Sequence, residues 1–161
     1  MKVNLKSAAV LVIAGVFFSI GLYNRDTSPG SSINTDINNK NQTDSLESLL
    51  TPISEIEEAF ARQLSDISVF VRGPISKILK DDTEGNAHQR FIIELSNGRT
   101  ILVAHNVDLA PRITGISKGS VVYVHGDYEW NSQGGVIHWT HHDPDGSHEN
   151  GWIIFDGKKY Q

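Results

Sequence analysis

The chain has no cysteine among its 161 residues. That excludes disulfides, thiolate zinc sites, a cysteine nucleophile and the lipidated cysteine of a bacterial lipoprotein. There is no P-loop and no His-Glu-x-x-His helix, so two common catalytic signatures are missing. No internal repeat is present. Positive charge is in deficit: 14 Lys+Arg stand against 19 Asp+Glu, a formal charge of −5 and a pI near 5.7. A generic nucleic-acid binder is usually basic, so this balance argues against one. The length allows one domain of about 100–150 residues with appendages, which excludes a multidomain enzyme or a polytopic membrane protein.

What is present begins with an export pattern. Lys2 and Lys6 precede the uncharged, mostly apolar run Ala8 to Ile20, and Ser19 and Gly21 are small residues at the −3 and −1 positions of a cleavage site. Residues 1–22 therefore read as a signal peptide or an uncleaved anchor, the run being short of the about 20 residues a spanning helix needs. Either form places the protein in the periplasm or on the inner membrane facing it, with residues 7–23 as the membrane contact. Residues 23–45 are rich in Asn, Ser, Asp and Thr and read as a flexible linker.

Over residues 46–66 the apolar positions Leu46, Leu49, Leu50, Ile53, Ile56, Phe60 and Leu64 mark one face of an amphipathic helix, with Thr51 able to cap it and Pro52 suited to its first turn. That face packs on the domain or, in the alternative, on a partner. From Ile67 the period changes to two. A first strand bends at Gly73-Pro74, and a second carries Phe91, Ile93 and Leu95 on one face. Asn97-Gly98 signals a two-residue hairpin turn, and Thr100 to His105 is the third strand. Val121 to Trp130 and Val136 to His142 are the fourth and fifth strands, and Trp152 to Tyr160 is a closing hairpin. Five strands with only a short turn between the third and fourth predict a mainly all-β domain over 67–161, an OB-like five-stranded barrel preceded by the N-terminal helix.

Several strings in this region carry a resemblance. They are Asp81-Asp82, His88-Gln89-Arg90-Phe91-Ile92, Ala104-His105-Asn106, Asp108-Leu109-Ala110-Pro111-Arg112, Gly126-Asp127-Tyr128-Glu129-Trp130-Asn131 and Gly134-Gly135-Val136-Ile137-His138-Trp139-Thr140-His141-His142-Asp143-Pro144. Together they resemble a small bacterial exported domain family of unknown function, over roughly Glu58 to Gln161. The resemblance implies an envelope setting and a domain boundary, and no activity.

All seven histidines lie between His88 and His148. The densest stretch holds His138, His141, His142, Asp143, Asp145, His148 and Glu149. Imidazole and carboxylate suit zinc, manganese, nickel or copper. On a continuing strand His138 and His142 share a face, and Asp143-Pro144-Asp145-Gly146 is a turn that can return His148 to them. His138, His142, Asp143 and His148 are thus candidate ligands of a divalent metal. Structural hydrogen bonding and pH sensing remain open alternatives. His125, Asp127 and Glu129 on the fourth strand can add a ligand if the register places Asp127 opposite His138.

A second group is catalytic in kind. His88, Arg90 and Glu94 share the outer face of the second strand, and Asp108 and Arg112 flank the turn after the third. They can serve as acid, anion clamp and base, or as exposed ion pairs and turn caps. Asp81, Asp82 and Glu84 form a solvated turn or a weak calcium loop. Trp130, Trp139 and Trp152 are core residues or stacking groups for a ligand. The first functional reading is a binding module for an oligosaccharide, peptide or oligonucleotide, with a metal-binding segment. The alternatives are a metal-dependent phosphodiesterase or nuclease, and a structural partner protein of the envelope.

Overall fold

The computed structural model describes residues 40 and 42–161. The expected export segment and membrane contact, and the linker up to residue 39, lie outside the described residues.

The expected helix over 46–66 is in two pieces. Residues 42–47 are helical, the chain turns at 48–50, and helix α1 runs Ile53–Ala61. The break has a local cause. Thr51 does not cap α1; its N–H donates to the Phe70 carbonyl at 2.7 Å, and its Oγ1 accepts the Phe70 N–H at 2.8 Å. Pro52 then occupies the N-cap position with an extended ψ of 138°. The helix entry is therefore pinned to the first strand, and Ile56 and Ala59 are pressed into the core. Arg99 latches the exposed side of the helix. Its guanidinium forks onto Glu57 at 2.6 and 2.5 Å and lies 4.1 Å from the Phe60 ring centroid. Thr51→Val is expected to cost about 1–2 kcal/mol in urea unfolding, because the Phe70 N–H loses its acceptor.

The strands are β1 Ile67–Ile78, β2 His88–Glu94, β3 Thr100–Asn106, β4 Val121–Glu129, β5 Val136–His138, β6 Trp152–Phe155 and β7 Lys158–Tyr160. Their order is β1-β2-β3-β5-β4-β6-β7, and a further β1–β4 pairing closes the first five into a barrel. All pairs are antiparallel except β3–β5. One long strand closes the ring: β1 pairs with β4 from Ile67 to Pro74 and with β2 from Ile75 onward. The bend falls at Gly73, where a Cβ would run into the Glu94 carbonyl oxygen. Pro74 is exposed there, as a residue without an N–H to offer must be.

The β2–β3 turn differs from the two-residue form expected of Asn97-Gly98. Leu95 N–H donates to Arg99 O and Gly98 N–H to Leu95 O, with Gly98 at φ +83°, a three-residue turn with glycine in the left-handed position. Asn97 is instead spent on its neighbours, its Oδ1 taking the Arg99 N–H and its Nδ2 donating to Glu57. Alternation does the rest. Val69, Val71, Phe91, Ile93, Ile101, Val103, Val124, Tyr128 and Ile137 fill the interior, closed by Ile153 and Tyr160 of the terminal hairpin and by Ile56 of α1. His105 continues the inward stripe of β3 and is fully buried.

Candidate functional site

The outer face of the barrel carries the chemistry. The ladders set His88 opposite Asn106, Asp127 opposite His138, and Ser68 opposite Asp127. The register left open by the sequence therefore brings Asp127 and His138 together. Gly126 allows this closeness: a Cβ there would meet the His138 carbonyl oxygen.

β5 does not extend to His142. It ends at His138 because Trp139 takes a left-handed backbone with φ +53°. Even spacing then no longer puts His138 and His142 on one face, and His142 lies exposed on the loop. Asp143 is also not free to bind a metal. Its carboxylate accepts the N–H of Asp145 at 3.2 Å, Ser147 at 2.5 Å and His148 at 2.7 Å. These bonds, led by that from His148, hold its carboxyl below the usual carboxylate range. Asp143 is thus the keystone of the 139–151 loop, an Asx-type turn of unusual reach. The loop closes where Gly151 N–H donates to the His141 carbonyl at 3.0 Å.

That loop lays His148 over the sheet. Its Nε2 stands 2.9 Å from Asp127 Oδ2, and its ring packs 4.5 Å from that of Trp139, whose other neighbour is His141 at 4.9 Å. Asp127 is only 7% exposed. Burial pushes its carboxyl up, against the pull of the His148, His138 and His125 imidazoles. His148 is raised, first by its hydrogen bond to the Glu149 carbonyl and then by the Asp127 carboxylate. Asp66 completes the group: one donor atom each from Asp66, Asp127 and His148 lies within 4.8 Å of the others. Alongside, His125 hydrogen-bonds the Asn150 carbonyl at 3.1 Å, and its Nε2 is 3.7 Å from Glu149.

The catalytic candidates are not gathered around this centre. Arg90 donates twice to the Lys80 carbonyl and lies 3.6 Å from Asp82. Arg112 forks onto Asp81. Asp108 accepts the Ala87 N–H at 2.7 Å. Glu94 is exposed at the far end of β2. His88 lies opposite Asn106 and lines a recess shared with His138, beside the centre rather than in it. In the 81–84 turn, Asp82 Oδ1 accepts the Glu84 N–H, and Asp81 is spent on Arg112. The three tryptophans do not form one platform either. Trp130 packs near Phe60, and Trp152 lies among Phe70, His125 and Lys159 on the β4–β6 flank. Trp139 alone belongs to the site. The residue the sequence did not signal is Asp66, which sits in the α1–β1 junction at φ +60°, a conformation Asp tolerates better than most residues.

Fold and site together define an OB-like closed barrel with a His/Asp cluster on its outer face. Residues 46–161 match the family described as Protein of unknown function (DUF3465), and the chain belongs to that family. No curated protein matches the chain.

Proposed function

We propose that the domain is a binding module of the cell envelope whose outer-face cluster holds a divalent transition metal through Asp66, Asp127 and His148. The observation that carries this reading is the convergence of the three donors within 4.8 Å around a buried carboxylate. Two carboxylates and an imidazole are a ligand set for manganese, zinc or nickel, and three protein ligands leave positions for a ligand's oxygen. The envelope setting rests on the Lys2–Gly21 export pattern. The hydrolase alternative is less well supported, because Arg90 and Arg112 are both engaged away from the cluster.

The test is metal retention. Untagged full-length protein, dialysed against Zn²⁺ or Mn²⁺ and washed, is expected to keep one ion per chain. Asp127→Asn is expected to lower affinity at least ~10-fold, and His142→Ala to leave it unchanged. Folded protein that retains neither ion would overturn the proposal.

A further inference from the structure

On the other side of His138 from Asp127 lies a cavity of about 220 Å³. Its walls include His88 of β2, Asn106 of β3, His138 of β5, Trp139 and His141 of the loop, and Asn86. Three features of this cavity point the same way.

No carboxylate lines it, although the chain as a whole carries −5. The acids around it have other partners: Asp108 accepts the Ala87 N–H, Asp127 stands against His148, and Glu129 lies 3.5 Å from His138 Nε2 on the far side of that ring.

Its polar wall atoms are donors, or become donors when an imidazole takes a proton. Trp139 Nε1 can only donate. Asn106 has its Oδ1 occupied by the Asp108 N–H, which leaves its amide NH₂ for the cavity. His141 Nδ1 carries its hydrogen toward the His142 carbonyl at 2.8 Å, so its Nε2 accepts in the neutral ring and donates only in the imidazolium.

One unmet donor belongs to this wall. Among the described residues, three buried side-chain polar atoms lack a hydrogen-bond partner: Trp130 Nε1, His138 Nε2 and Trp139 Nε1. His138 Nε2 is turned toward Glu129 Oε1 at 3.5 Å, which leaves Trp139 Nε1 as the unmet atom on the cavity side. A buried donor left unmet costs about 1–3 kcal/mol, which an acceptor entering beside it can recover after a small rotation of the ring.

A donor-rich, acid-free recess takes an acceptor-rich guest. The volume suits about seven waters, or a compact anion with part of its shell. We infer that this cavity is an oxyanion subsite, sized for a phosphate group and framed by His88, Asn106, Trp139 and His141. It is separate from the metal reading, since none of Asp66, Asp127 and His148 lines it.

The probe is inorganic phosphate, added to the ¹⁵N-labelled full chain in EDTA, with sodium chloride at matched ionic strength as the blank. The Trp139 indole N–H peak is expected to move and saturate at millimolar phosphate, with the Trp152 indole unmoved. His88→Gln and His141→Gln should each weaken binding at least fivefold while the amide spectrum stays native. His142→Gln, on the same loop but outside the cavity, should bind as the parent does and guards against a folding artefact. The inference is overturned by an unsaturable shift, by equal movement of all three indoles, or by parental affinity in both cavity variants. Binding that needs added zinc would also overturn it, and would instead support phosphate as a ligand of the metal.

Discussion

Gly151→Ala is expected to destabilise the domain by about 3 kcal/mol or more, which for a domain of this size lowers the melting temperature by roughly 10–15 °C. Gly151 stands where the 139–151 loop rejoins the barrel and β6 begins. A Cβ there would run into the Trp139 carbonyl oxygen and lie 2.9 Å from the His125 carbonyl. Both are backbone atoms, so no side chain can swing aside. The loop mouth must open, and the hydrogen bond from Gly151 N–H to His141 O goes with it. Opening the mouth also lifts His148 from Asp127, so metal retention should fall along with stability. The control lies in the same loop. Gly146 has φ +66° and open space around its missing Cβ. Gly146→Ala should therefore cost only the left-handed backbone penalty, about 1 kcal/mol. Circular-dichroism melts of the two variants check the contrast. Equal small shifts would show that the loop mouth yields freely.

The same loop marks where reading the sequence stops. The barrel was legible because its information is periodic: Phe91, Ile93 and Leu95, or Val122 and Val124, alternate over enough residues to fix a face. The parallel β3–β5 contact then follows from closing five strands. The site was legible in composition and only partly in geometry. His148 is one of the three convergent donors, His138 stands opposite Asp127 in the β4–β5 ladder without joining them, and Asp127 was tied to the segment only through an unknown register. His142 does not share a face with His138 because Trp139 leaves the strand in a left-handed conformation, and no local rule assigns that to a tryptophan. Past that point parity along the chain carries no information. Asp143 is drawn inward by three N–H groups of its own turn, while Asp66 enters from a junction remote in sequence. Thr51 and Asn97 show the same limit in the frame. Their side chains suit a cap and a two-residue turn, yet β1 and α1 claim them.

His105 should make the domain lose stability as pH falls below about 6.5, the ordinary imidazole value. The side chain is fully buried at the inner end of β3. Its Nε2 lies 3.1 Å from the Pro111 carbonyl, which can only accept, so Nε2 carries the hydrogen. Its Nδ1 lies 2.8 Å from Thr140 Oγ1 and therefore accepts the hydroxyl proton. The neutral ring is thus satisfied at both nitrogens. A second proton would displace the Thr140 hydrogen bond and place charge in the core. Burial accordingly lowers the His105 pKa, with the His141 and His88 imidazoles adding repulsion. The sign follows from linkage: below the unfolded-state value the denatured chain takes up a proton that the native chain refuses. Stability is then lost as pH falls from 6.5 toward the depressed native value, at up to about 1.4 kcal/mol per pH unit. His148 acts in the opposite sense, since its raised pKa favours the folded state at low pH and that contribution fades as pH rises through the native value. The two are separated by His105→Leu. That variant should cost about 2–4 kcal/mol at pH 7.5, through the Thr140 and Pro111 groups left unpaired. Its deficit against the parent should shrink as both are measured in urea at pH 6.5 and then 5.5. A deficit that stays constant across that range would mean His105 does not titrate differently on folding, and would assign the acid sensitivity of the domain to other groups.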